Sequence, residues 1–182
     1  MASELFVDNI YPGPNSTSVE VNATSSFVVK TNGSTQLTID SAGRLLTPNR
    51  PYFYARRGSS SGDGVAAGTL TWNNVLVNDG GHFVTSGTGA YERFVAPVTG
   101  IYVFHCVPGY KQTNINFNMY WYVNGSQYQE GIRFIGTPLN SHSTATSSIA
   151  LKLNVSDYVH VHIGYTHHRN SGTEYFTGYL LG

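Results

Sequence analysis

No stretch of this 182-residue chain sustains the i, i+3, i+4, i+7 apolar spacing of an amphipathic helix. From about residue 52 onward it carries short runs rich in β-branched and aromatic residues: PYFYAR, TLTWNNVLV, GHFVTS, RFVAP, GIYVFHCVPGY, INFNMYWYVNG, EGIRFIG, SHSTATSSIALKL, DYVHVHIGY and EYFTGYLLG. Turn-forming Gly, Pro, Asn and Ser separate them. Seven to ten strands at such spacing specify an all-β sandwich or jelly roll. The thirteen Tyr and twenty Gly suit the same plan, Tyr in strands and Gly between them.

Several of these strands are apolar on both faces. In INFNMYWYVNG, Phe117, Met119, Trp121 and Val123 share one face, while Asn118, Tyr120, Tyr122 and Asn124 share the other. In GIYVFHCV, Ile101, Val103, His105 and Val107 oppose Tyr102, Phe104 and Cys106. In the last strand Phe176 and Leu180 oppose Tyr175, Tyr179 and Leu181. A sandwich strand normally keeps one face in the core and the other in water. Three strands that break this rule would expose more apolar surface than the few hundred Å2 a monomer tolerates. Self-association through one sheet covers that surface most economically; loops folded back over the sheet are the alternative. The residues expected in the core or at the interface are Tyr102, Phe104, Phe117, Tyr120, Trp121, Tyr122, Tyr175, Tyr179 and Leu181.

Charge excludes several partners. Ten basic residues balance ten acidic ones, and charged residues make up only 11% of the chain. Neither a phosphate-neutralising face for nucleic acid nor a polybasic membrane patch can be built from that inventory. No run approaches the ~18 apolar residues of a membrane helix, so membrane insertion is not expected. The stretch MASELFVDNIYPGP lacks the basic and apolar regions of a signal peptide. Cys106 has no internal disulfide partner, and its apolar neighbours predict a buried, inert thiol.

Residues 1 to about 24 read as an extended polar arm, with Pro12 and Pro14 opposing regular pairing. The following SFVVKTNGSTQLTIDSAGRLLTP reads as three short strands, with Asn32-Gly33 as a hairpin turn and DSAG as a second turn. Three short strands bury too little to stand alone in water. Such a segment needs a partner, most simply its own counterpart in other copies of the chain. The expected division is residues 1–51 as arm and anchoring hairpin, and residues 52–182 as the head.

Trp72, Asn78, Phe83, Phe94, Gly100, Tyr102 and Phe104 stand in the order, and nearly the spacing, of a known signature. With NDGGHF, FVAPVTGIYVF, WYVNG, LKLNVSDYVHV and the closing YFTGYLLG, the head resembles the C1q-like domains, related in fold to tumour-necrosis-factor ligands. There are departures: Trp72 stands for a Phe, the Phe83–Phe94 interval is long, Cys106 replaces an aromatic, and Val155-Ser156-Asp157 lacks a Gly before the Asp. The resemblance implies a ten-stranded jelly roll assembled as a homotrimer. The N-terminal part has no collagen-like Gly-X-Y run. Its hairpin stretch resembles short β segments of bacteriophage tail-fibre and other structural proteins that precede such heads. That second resemblance implies a virion protein, a capsid decoration (cement or head fibre) or a tail fibre, held by its N-terminal segment to capsid or tail proteins. A free carbohydrate-binding or adhesion module is the rival expectation.

Site chemistry is sparse. His160 and His162 share a strand face, which suits one metal ion or a ring of imidazoles about a threefold axis. No carboxylate or Cys in the pattern completes a ligand set, so hydrogen-bonded rings on a half-exposed strand face are the expected arrangement. No metal and no cofactor is expected. There is no Gly-x-Ser-x-Gly elbow, His-Glu-x-x-His pair or phosphate-binding glycine loop, so catalysis is not expected either. Loops at the ends of a jelly roll offer binding surfaces instead. Arg56, Arg57, Tyr91, Tyr110 and Arg169 are the loop candidates for a host-surface glycan or protein.

Overall fold

The computed structural model describes residues 26–57, 67–85, 92–111, 116–135, 142–164 and 174–181. Every regular element among them is a strand, and the chain divides into two compact units, residues 1–49 and 50–182.

In the first unit β1 (Phe27–Thr31), β2 (Ser34–Ile39) and β3 (Leu45–Leu46) form an antiparallel sheet in that order. Asn32 and Gly33 join β1 to β2 with φ of 48° and 78°, the left-handed pair that a tight hairpin demands. Asp40 closes the second turn. Its Oδ1 accepts the Ala42 and Arg44 amides at 2.9 Å, and its Oδ2 meets Arg44 Nε at 2.7 Å.

The second unit is a two-layer jelly roll. Its strands are β4 (Tyr52–Arg56), β5 (Gly68–Thr69), β6 (Asn74–Asp79), β7 (Phe83–Val84), β8 (Arg93–Val95), β9 (Gly100–Val107), β10 (Gly109–Lys111), β11 (Asn116–Val123), β12 (Ser126–Ile135), β13 (His142–Thr144), β14 (Ser147–Leu153), β15 (Tyr158–Ile163) and β16 (Tyr175–Leu180). One layer runs β14-β9-β16-β4-β6. The other runs β12-β11-β15-β8-β7, with β5 also on β15, and β10 pairs with β13 apart from both. Three of the ten expected runs are split. TLTWNNVLV breaks into β5, which pairs with β15 in one layer, and β6, which pairs with β4 in the other, with the fully buried Leu70 and Trp72 between them. GIYVFHCVPGY breaks at Pro108, and SHSTATSSIALKL breaks before Ser147.

The core is an aromatic cluster between the layers. Phe53 stacks on Phe83 at 4.6 Å and on Phe94 at 5.3 Å, and meets Phe176 edge-on at 4.8 Å. Such pairs add about 0.5–1.5 kcal/mol each beyond simple burial. Gly178 makes room for them: a Cβ there would lie 2.9 Å from Phe53 Cε1 and closer still to Phe104. That accounts for the glycine in the closing YFTGYLLG.

Other signature residues have local reasons too. The Asn78 side chain donates to Phe83 O at 2.9 Å and accepts from Phe83 N at 2.8 Å. The side-chain amide, with a donor and an acceptor side by side, satisfies both backbone groups at once. Tyr102 Oη donates to Val98 O at 2.8 Å, tying β9 to the Pro97–Thr99 bend before it. Ser156 stands at φ 72°, in the left-handed region that a glycine would occupy without strain. Asp157 secures this turn: its Oδ2 accepts the Asn154 amide at 2.7 Å and its Oδ1 accepts Asn124 Nδ2 at 2.8 Å. Those bonds, the one from Asn124 foremost, hold its carboxyl below the usual range.

Candidate functional site

The outward face of the β14-β9-β16-β4-β6 layer follows from strand parity. Phe53 and Ala55 of β4, Tyr102, Phe104 and Cys106 of β9 and Phe176 of β16 point into the core, so their alternates point out. Register sets those alternates in rows. Ala150, Val103, Tyr179, Tyr52 and Asp79 form one row; Ser148, His105, Thr177, Tyr54 and Val77 form the next. Ile101 and Leu181 border the first row and are 44% and 52% exposed. Tyr54 and Tyr175 pack ring on ring at 5.6 Å. Arg56 lies over the Tyr54 ring at 5.2 Å and donates from Nε to Tyr54 Oη at 2.8 Å. His105 Nδ1 and Ser148 Oγ are 2.6 Å apart. The result is a tyrosine-rich face crossed by one polar row of Ser148, His105 and Thr177, with Asp79 and Arg56 toward its edge.

The other layer has a different outward face. Met119 and Trp121 of β11 and Val159, Val161 and Ile163 of β15 are buried in the core, which places Tyr120, Tyr122, Tyr158, His160 and His162 on the other side of the sheet; His160 is nevertheless buried there, not half-exposed as the spacing suggested. Tyr122 lies 4.8 Å from the His162 ring, stacked, and 5.1 Å from His160. Tyr120 Oη accepts from Asn118 Nδ2 at 2.7 Å, and the Arg93 guanidinium caps the Tyr158 ring at 4.5 Å. His160 and His162 thus flank a tyrosine ring. Among the described residues no group of three or more His, Cys, Asp or Glu is placed to hold a metal ion.

These placements divide the residues expected in the core or at the interface. Tyr102, Phe104, Phe117 and Trp121 belong to the core, each at most 3% exposed. A side chain without accessible surface cannot meet a partner. Tyr120 and Tyr122 lie on one outer face of the sandwich, while Tyr175, Tyr179 and Leu181 lie on the opposite one. One flat interface cannot use both sets.

Arg57 also corrects its loop expectation. It is buried, with Nε 3.2 Å from Glu174 Oε2, and Glu174 is fully buried. Arg56 sits in β4, not in a loop. Tyr110 lies in β10 opposite Ser143, while Tyr91 and Arg169 fall outside the described residues. Cys106 is buried as expected, and burial, reinforced by the nearby Glu174 charge, pushes its thiol well above the ordinary range.

Two groups near the β15 layer titrate in opposite senses. Burial first, then the charges of His162 and Arg93, lowers His160 to about 4. Burial raises Glu92 to about 7 against the opposing pull of Arg57. The unfolded chain protonates its histidines near 6.5, so His160 costs stability as pH falls from there toward 4. Glu92 acts the other way, costing stability as pH rises from about 4.5 to about 7. Between pH 4.5 and 6.5 the two slopes oppose each other. Denaturant titrations should show a Glu92→Gln variant losing stability more steeply on acidification than wild type. A His160→Phe variant should instead gain stability over the same interval. Parallel pH curves for all three proteins would contradict this assignment.

The profile of the C1q domain matches residues 52–181. The chain belongs to the C1q domain family. Its C1q domain is similar to the globular domain of zebrafish complement 1qA protein, with TM-score 0.54 and 16% identity over 72% of this chain and 98% of that one. It is also similar to murine APRIL, with TM-score 0.53 and 12% identity over 72% of this chain and 99% of that one. At these identities the likeness is one of fold. None of the curated proteins gives a significant sequence match to this chain.

Proposed function

We propose that this chain is a non-enzymatic structural protein of a tailed-phage virion. Its C1q domain forms a homotrimer that projects from the particle as a capsid decoration or tail-fibre head. The observation that carries the trimer is the outward face of the β14-β9-β16-β4-β6 layer. There Val103, Tyr179, Tyr52, Tyr54 and Tyr175 form a continuous surface bordered by exposed Ile101 and Leu181. An apolar expanse of this kind marks an interface in soluble proteins. Support for the virion setting is the Phe27–Leu46 segment, whose sequence resembles short β segments of phage structural proteins. In this reading the N-terminal segment grips capsid or tail proteins, and the head stabilises the particle or contacts a host-surface glycan or protein.

Deletion of residues 1–51 separates the two roles. The truncated head should remain a folded trimer by light scattering yet fail to enter particles in a complementation assay. Incorporation of the truncated head at wild-type occupancy would remove the anchoring role. A full-length chain that joins no particle but retains binding on a glycan array would instead establish a free adhesion module.

A further inference from the structure

The small N-terminal sheet is amphipathic in an unusual way. Register places Phe27, Ile39 and Leu45 in one cross-strand row, and Val29 with Leu37 in the next row on the same face. All five are apolar. The other face interposes Thr38 between Val28 and Leu46. Val29 is 39% exposed, Ile39 41% and Leu45 63%; Val28 at 40% and Leu46 at 47% are as exposed on the other face, but there Thr38 separates them. The only charged groups in β1 to β3 and their turns are Lys30, beyond the irregularity after Val29, and the Asp40–Arg44 pair, which satisfy each other.

A sheet of this size with one apolar face open is not expected to persist in water. Its cover must be apolar and uncharged. We infer that the cover is the same face of other copies of this chain, so that three Phe27–Leu46 sheets close on one another around a shared apolar core. This rests on the proposed trimeric head. A trimer delivers three copies of the segment, each joined to its head through Thr47–Pro51, at an effective concentration on the order of millimolar. Because the face carries no charge, identical copies meet without repulsion. Pro48 and Pro51 stiffen the connection and reduce the freedom lost on closure.

Hydrogen exchange on the full-length chain tests this, with light scattering on the same samples. In the wild-type trimer, peptides spanning Phe27–Leu46 should be protected. Leu37→Asp, on the apolar face, should accelerate their exchange by roughly 100-fold while the head stays trimeric. Thr38→Asp, one residue along and on the opposite face, should leave protection in place, which controls for the poor strand propensity of Asp. Random-coil exchange of the segment in the wild-type trimer overturns the inference and leaves the head trimer standing. So does unchanged protection in Leu37→Asp, or protection that persists in a Tyr179→Asp chain shown to be monomeric. A monomeric wild-type chain overturns the head trimer and this inference together.

Discussion

Tyr179→Asp should convert the proposed full-length trimer to monomer at micromolar concentration, as read by light scattering. Tyr179 lies between Val103 of β9 and Tyr52 of β4, in the middle of the row that starts at Ala150. In the single chain its side chain is only half-buried, so a charge there is tolerated in the monomer. Assembly would strip water from that carboxylate and supply no cation in its place. Central aromatic residues of an interface are worth about 2–4 kcal/mol each, and a threefold assembly pays that loss at three sites. Each interface should therefore weaken by roughly 30- to 1,000-fold. The control is Tyr122→Asp, on the opposite outer face, which should leave the trimer intact. Dissociation by Tyr122→Asp alone would place the interface on the β11–β15 layer instead.

Arg57→Met destabilises the C1q domain by about 3–5 kcal/mol, the usual consequence of removing one partner of a buried ion pair. Glu174 is fully buried, and the guanidinium 3.2 Å away is its cation. Gly109 presses on the same carboxylate so closely that a Cβ at that position would collide with it, which leaves no easy route for Glu174 to swing out. The thermal midpoint should drop by roughly 10 °C or more. The double variant Arg57→Met/Glu174→Leu should regain most of this loss, because a buried pair replaced by apolar groups costs little. Additive losses in the double variant would show that the two residues act separately.

Much of the fold is visible in the primary structure because strand periodicity is local. Alternation in GIYVFHCV and INFNMYWYVNG sorts residues into two faces without any tertiary information, and Asn32-Gly33 announces its hairpin through the positive φ both residues need. Alternation does not say which face turns inward when both are aromatic. Tyr102 and Tyr120 look alike in sequence, yet one is buried in the core and the other stands on an outer surface. Nor did the local pattern single out Tyr52 and Tyr54, whose importance appears only once β4 pairs with β16 and aligns them with Tyr179 and Thr177. Arg57 was the clearest misplacement. Polar neighbours in RRGSSSGDG suggest a loop, whereas its cation is held inside by Glu174, 117 positions later in the chain.

By itself, the amino-acid sequence determined an all-β chain, its hairpins and the identity of its family. These follow from backbone preferences and from side chains a few residues apart. Only the tertiary structure decided which layer turns a tyrosine-rich face outward, which tyrosines lie on it, and which carboxylate neutralises Arg57. Those outcomes depend on strand order and on contacts between residues far apart in the chain, where no local periodicity carries the information.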